Sequence, residues 1–283
     1  MKGTERFMVK EFTFVGAKNT QLQGYILEPD EKESVKALIV LIHGLGEHTG
    51  RYFKYAQEFT GHGICIYSMD LRGHGKSPGK RGHAAPRRLI LEDVDALCQY
   101  AIKDYPNIPL FIYGHSMGGN IGLYHRLHGK FRPKGYIITS PWITLYREIP
   151  KSTVLAMKLI SRIVPSLCIR SNLDIKELSS DQSQIDCEKD PLCHGYVSAQ
   201  TGLDCYNGAI EIIKKAGIDK EDLLLLHGTE DHICSVEGSR AFMKNAGKSC
   251  TYIEFENNYH ELHNDKDRDR VAEIIRNWIQ ERL

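Results

Sequence analysis

The feature that most limits the folds open to this chain is a set of short, continuous apolar runs, each closed by a glycine-rich or polar turn. Ala37–Ile42 reads Ala-Leu-Ile-Val-Leu-Ile and ends in His43-Gly44-Leu45-Gly46. Residues 63–69, 108–113 and 136–139 repeat the pattern, and 223–227 and 250–255 resume it nearer the C-terminus. A strand with one wet face alternates polar and apolar residues. A run without alternation fits a strand covered on both faces, as in a parallel sheet. Helical periodicity fills the intervals at 52–60, 86–104, 117–128, 235–246 and 267–282; in the last, Val271, Ile274, Ile275, Trp278 and Ile279 share a face. Residues 7–15 and 22–28 alternate instead and predict an opening hairpin. The alternation of strands and helices predicts an α/β fold with a mostly parallel, doubly wound sheet and helices on both faces.

The order breaks after Pro141. Residues 142–203 hold no convincing strand, and 171–195 is polar, rich in Ser and Asp, and aperiodic. This predicts a core of residues 1–141 and 204–283 with residues 142–203 inserted above it. A chain of 283 residues, 41% apolar and 26% charged, can bury such a core without staples. The net charge of +1 and the lack of a basic stripe argue against a nucleic-acid partner. The eight cysteines are scattered without a CxxC, the N-terminus lacks a signal-peptide core, and no run of 18 apolar residues occurs. A reducing, cytoplasmic setting is the expectation. Nothing in the sequence fixes an oligomeric state.

The strongest chemical signal is Gly114-His115-Ser116-Met117-Gly118-Gly119, placed between the apolar run 108–113 and a helical stretch. G-x-S-x-G in a strand–turn–helix context puts the serine on a sharp turn, with glycines allowing close chain approach. Ser116 is thus the expected nucleophile, and a hydroxyl needs a neighbouring base. The chain order Ser, acid, His directs attention to Gly228-Thr-Glu-Asp231, after the run 223–227. Asp231 is the favoured acid, with Glu230 and Asp204 as alternatives because sequence does not fix the turn. After the next strand, Asn257-Asn-Tyr-His260-Glu-Leu-His263 offers two histidines; His260 is the favoured base and His263 the substitute. The oxyanion donors should be the N–H groups of Met117, just after the nucleophile, and Leu45, in the turn after 37–42.

The segments HGLGEHTGRY (43–52), MDLRGHGKSPGKRGH (69–83), GHSMGG (114–119), HGTEDHICS (227–235) and NYHELHND (258–265) together resemble the monoacylglycerol lipase and lysophospholipase group of α/β hydrolases. The similarity spans nearly the whole chain and is weakest at 142–203. It implies an α/β-hydrolase fold with a cap, or lid, over the site. It also implies that Glu47, Arg51 and His263 contact a glycerol head group; the plainer alternative is an exposed Glu47–Arg51 ion pair. Cys234, three residues after Asp231, would on the same resemblance lie near the substrate pocket; packing is the plainer role. Within the cap, residues 151–164 have a wide apolar face opposite Lys151, Lys158, Ser161 and Arg162. That pattern suits either a helix packed on the core or one that touches a lipid surface.

Other signals fail on spacing. Gly75-Lys76-Ser77 has Asp70 where a phosphate loop needs glycine, and the dinucleotide pattern from Gly44 meets Thr49. His260 and His263 are three apart, not the four that a helical zinc pair needs. No cofactor or metal is implied. The expected activity is ester hydrolysis of a monoacylglycerol through an acyl-enzyme on Ser116, with a lipid or small ester as partner and peripheral membrane contact through the cap. The rival activities are lysophospholipase and broad carboxylesterase. A non-catalytic scaffold of the same fold is the remote alternative.

Overall fold

The computed structural model describes residues 9–84, 86–171, 173–185, 187–218 and 220–283. The chain begins with the antiparallel hairpin β1 (Val9–Val15) and β2 (Gln21–Leu27), as alternation predicts; positions 7 and 8 lie outside the described residues. There follow β3 (Ala37–Ile42), α1 (Phe53–Thr60), β4 (Ile64–Met69), α2 (Arg87–Asp104), β5 (Leu110–His115), α3 (Met117–His128) and β6 (Gly135–Thr139). After residue 141 come α4 (Lys151–Ile163), β7 (Cys168–Arg170), β8 (Tyr196–Ser198) and α5 (Ala199–Lys214). The chain closes with β9 (Asp222–Gly228), α6 (Val236–Met243), β10 (Cys250–Phe255) and α7 (Arg268–Gln280).

Eight strands form one sheet in the order β1-β2-β4-β3-β5-β6-β9-β10. Pairings from β4 to β10 are parallel, and β1 and β2 run antiparallel at one edge. β3, β4, β5 and β6 are buried at every position, which is why their sequences do not alternate. Successive residues of β3 serve two different cores. Leu38, Val40 and Ile42 pack with α2, α3, α5 and α6, whereas Ala37, Ile39 and Leu41 pack with α1 and α7. The sheet is therefore the middle of three layers, and the ends of its parallel strands meet along one crest.

Residues 142–203 depart from the expectation of no strand. β7 and β8 pair antiparallel, Cys168 opposite Ser198 and Arg170 opposite Tyr196. Each is three residues long, too short to leave a periodic signature. The expected junction at 203/204 falls inside α5, which Ser198 caps by accepting the Thr201 amide. In α4, Val154 and Met157 are buried against the layer below, while Leu155, Leu159 and Ile163 face outward, the last 81% exposed. Among the described residues no helix is long and apolar enough to cross a membrane.

Candidate active site

The site forms on the crest, where β3, β5, β9 and β10 end. Ser116 follows β5 directly with φ 55° and ψ −115°, a conformation that L-residues adopt only under constraint. The constraint is visible. Its N–H donates to the Thr139 carbonyl at 3.0 Å, and its own carbonyl accepts the Asn120 and Trp142 amides at 3.0 and 2.9 Å. The flanking glycines allow the turn to close. A Cβ on Gly114 would strike the Gly118 carbonyl, and one on Gly118 would strike the carbonyls of Ile42 and His43. The sharp turn expected from G-x-S-x-G is thus built by contact between β5, α3 and the end of β3.

Asp231 lies three residues beyond β9, and the turn wraps its carboxylate. Oδ1 accepts the amides of Ile233 and Cys234, both at 2.8 Å, and Oδ2 accepts from His260 Nδ1 at 2.7 Å. The two alternative acids are occupied elsewhere. Asp204 accepts the Arg87 amide at the start of α2, and Glu230 pairs with His232 at the surface. Of the two histidines, His260 is the one joined to Asp231. His263 is equally buried, but neither ring nitrogen has a hydrogen-bond partner among the described residues. Ser116 hydroxyl sits against the Cys234 thiol, itself 1% exposed. The two residues expected from different arguments are therefore neighbours.

Electrostatics separates the groups. Burial alone would raise the Asp231 carboxyl, but His260 and His227 outweigh it and hold it far below the usual carboxylate range. Burial would likewise lower His260, yet the charge and hydrogen bond of Asp231 lift it above the ordinary histidine value. Burial pushes His263 down to about 4, so it is neutral at pH 7. His115, whose ring centroid is 4.8 Å from that of His260 and 4.9 Å from that of His263, is likewise held neutral by burial and by those rings.

The turn after β3 brings the remaining residues. A Cβ on Gly44 would lie 3.2 Å from Ser116 Cβ, which places this turn against Ser116. Among the described residues neither the Leu45 nor the Met117 N–H has a hydrogen-bond partner. Glu47 accepts the Gly44 amide at 2.5 Å and the Tyr52 hydroxyl at 2.7 Å, and Arg51 donates to it at 2.7 Å. The Glu47–Arg51 pair is not an exposed one. Both side chains are buried, and Arg51 also grips Glu261 through two bonds of 2.6 and 2.8 Å. Against the cost of burial, Arg51 keeps the Glu261 carboxyl ionised. Glu261, next to the favoured base, escaped the sequence reading because its partner lies 210 residues away. His263 stacks on Tyr52 with ring centroids 4.5 Å apart, and one of its ring nitrogens lies within 4.8 Å of a Glu47 and a Glu261 oxygen.

Among the described residues two clusters are spaced closely enough to hold a cation: Glu47, Glu261 and His263, and His48, Asp190 and Cys193. In the first, the Arg51 guanidinium already bridges the two carboxylates. In the second, His48 Nδ1 accepts the Gly50 amide, so the Nε2 facing Asp190 at 2.8 Å carries the hydrogen that a metal would have to displace.

Residues 33–267 match the family described as serine aminopeptidase, S33. The chain is 31% identical over 254 residues to the monoglyceride lipase of Rattus norvegicus, covering 88% of this chain and 84% of that one. It is 32% identical over 251 residues to an uncharacterized abhydrolase domain-containing protein of Dictyostelium discoideum, of which it spans 26%. The crystal structure of the monoacylglycerol lipase of Paleococcus ferrophilus superposes with a TM-score of 0.82 at 30% identity, over 93% of this chain and 99% of that one.

Proposed function

Because this chain belongs to the serine aminopeptidase S33 family of α/β hydrolases, alongside the monoglyceride lipases, we propose that it hydrolyses monoacylglycerols to fatty acid and glycerol. Ser116 attacks the ester carbonyl while His260, oriented by Asp231, takes the hydroxyl proton. The Leu45 and Met117 N–H groups, unpaired among the described residues, receive the oxyanion. His260 returns the proton to the departing glycerol, and water then releases the acid by the same route.

The observation that carries the substrate reading is His263. A buried imidazole with both nitrogens unpartnered is costly, typically about 1–3 kcal/mol per group. It sits beside the base and faces Glu47 and Glu261, a cluster of donors and acceptors matched to a hydroxylated leaving group. Glu47 and His263 would contact the hydroxyls, with Arg51 holding the two carboxylates in place.

Residues 142–203 serve as the cap in this reading. The outward Leu155, Leu159 and Ile163 of α4, with Leu167 and Ile169 beyond it, support contact with a lipid surface from which the substrate is drawn. The cysteines of the described residues are all free, in keeping with a reducing cytosol.

The test has two parts. A fluorophosphonate probe should label the wild-type protein, and labelling should vanish in Ser116→Ala. The kcat/KM values for a monoacylglycerol, a lysophospholipid, an aryl ester and an aminoacyl anilide should then rank the monoacylglycerol first. A rank led by the lysophospholipid or anilide overturns the substrate. No labelling overturns the mechanism.

A further inference from the structure

The Asp231 carboxylate has more donors than the orientation of one imidazole requires. Besides the two amides on Oδ1 and His260 on Oδ2, a second histidine faces Oδ2: His227 Nε2, at 3.1 Å. His227 is the sixth residue of β9, with none of its side chain exposed. The same nitrogen lies 2.9 Å from the Cys234 carbonyl. Both facing oxygens can only accept, so Nε2 carries the hydrogen, and Nδ1 is left to accept the Ser239 hydroxyl 2.7 Å away on α6. The line runs from α6 through Ser239 and His227 to the carboxylate that holds the base.

We infer that His227 is a positioning residue of this active site: aimed by Ser239, its Nε2–H shares Asp231 Oδ2 with His260 and fixes the plane of the carboxylate. The inference rests on the proposed triad. One consequence follows from charge alone. Each donor to Oδ2 offsets part of the carboxylate charge, so the His227 bond moderates the pull of Asp231 on the His260 proton. Take that bond away and the imidazolium form of His260 gains, which moves the acid limb of kcat/KM to higher pH.

The groups that face this line are few. His227 sees Asp231 and Cys234 from the turn, Ser239 from α6, and Glu254 from β10, which is paired with Arg240 of α6. His260 sees Asp231, Glu261 and Glu47, together with the neutral rings of His115 and His263. Apart from Ser239 itself, which carries no charge, none of these is altered by a substitution at 227 or 239, so a shifted pH profile reports the Asp231–His227 bond.

The experiment compares His227→Phe, His227→Gln, Ser239→Ala and Asp231→Asn on an activated aryl ester across pH, with melting curves for each. His227→Phe should lower kcat on the order of tenfold with little change in KM, and raise the acid limb by about half a pH unit. His227→Gln, whose amide can donate to the same oxygen, should restore the wild-type limb and most of kcat. Ser239→Ala should fall between them, and it decides the matter should His227→Phe not fold. A wild-type acid limb in both Ser239→Ala and His227→Phe reduces His227 to packing and overturns the inference. Undiminished turnover in Asp231→Asn overturns the triad instead, a separate outcome.

Discussion

The crest of the sheet and the layer above it are held in different ways. Ser116 is fixed by three backbone hydrogen bonds and by glycines that let β3, β5 and α3 touch, and Asp231 by two amides and two imidazoles. Among the described residues, 142–203 hold α4 with its outward leucines, a pair of three-residue strands, turns and the first turn of α5. They meet the crest at scattered points, including His194 N–H to the Gly46 carbonyl, Ser198 N–H to Gly82 and Glu261 N–H to Leu178. Acyl transfer by the proposed triad demands atoms held to a fraction of an ångström, whereas the proposed cap must open at low cost.

The sharpest break in that comparison comes from the crest itself. Ser116→Ala should cost on the order of a millionfold in turnover and leave the fold intact, since the small side chain fits the same turn. More than a few per cent of wild-type activity in a folded, purified variant refutes the nucleophile.

Acid should expose the next difference. His263 titrates near 4 in the fold against an ordinary 6.5, so the unfolded chain binds its proton first as pH falls. The stability that its neutral form contributes is whole above pH 6.5 and drains away toward pH 4, up to about 3 kcal/mol for a fully buried group. Melting temperatures of wild type and His263→Phe, taken from pH 7 to 4, should show the wild type falling faster than the variant. Parallel slopes would show that His263 is not the group being strained. Turnover should fall over a neighbouring range, because His260 must be neutral to act as base and its proton is held above the ordinary histidine value.

A gentler probe asks what the polar cluster binds. His263→Ala should lower kcat/KM roughly 5- to 150-fold on a monoacylglycerol, the cost of about 1–3 kcal/mol for unpaired polar groups. An aryl ester with the same acyl chain should lose little. Loss on both substrates would make His263 part of the chemistry, and loss on neither would leave a broad carboxylesterase.

The smallest effect belongs to the cap. Replacing Leu155, Leu159 and Ile163 together by serine should shift stability by no more than about 0.5 kcal/mol per site, since all three are exposed. Aryl-ester turnover in solution should not change. Sedimentation with phospholipid vesicles should, and equal sedimentation of wild type and variant would remove the lipid-surface contact.

These contrasts also explain what could be read in advance. β3, β4, β5 and β6 are buried throughout, and a buried parallel strand writes itself as an unbroken apolar run. Ser116 was legible because its turn needs glycines at fixed offsets. The choice among Asp231, Glu230 and Asp204 was not, because it depends on which carboxylate the Ile233 and Cys234 amides enclose. Glu261 and His227 stayed hidden for a related reason: a buried polar residue is defined by its partner, and Arg51 and Ser239 carry no mark of that partnership. The Glu47–Arg51 spacing suggested a solvated pair until Glu261 closed over it from the far end of the chain. β7 and β8 hold each other across a span of chain with no periodicity to betray them.

Arg51 has a further consequence. Among the described residues it holds Glu47, in the turn that carries Leu45, and Glu261, the residue after His260. A single guanidinium therefore pins two loops from opposite ends of the sequence to a common pivot, as a bolt joins two plates. Movement of the Leu45 turn should drag the His260 loop with it, so damage to either loop should be felt by both, and paired substitutions across them should not add. A lysine at 51 has one ammonium where the guanidinium has a fork, and it would leave the plates free to slide.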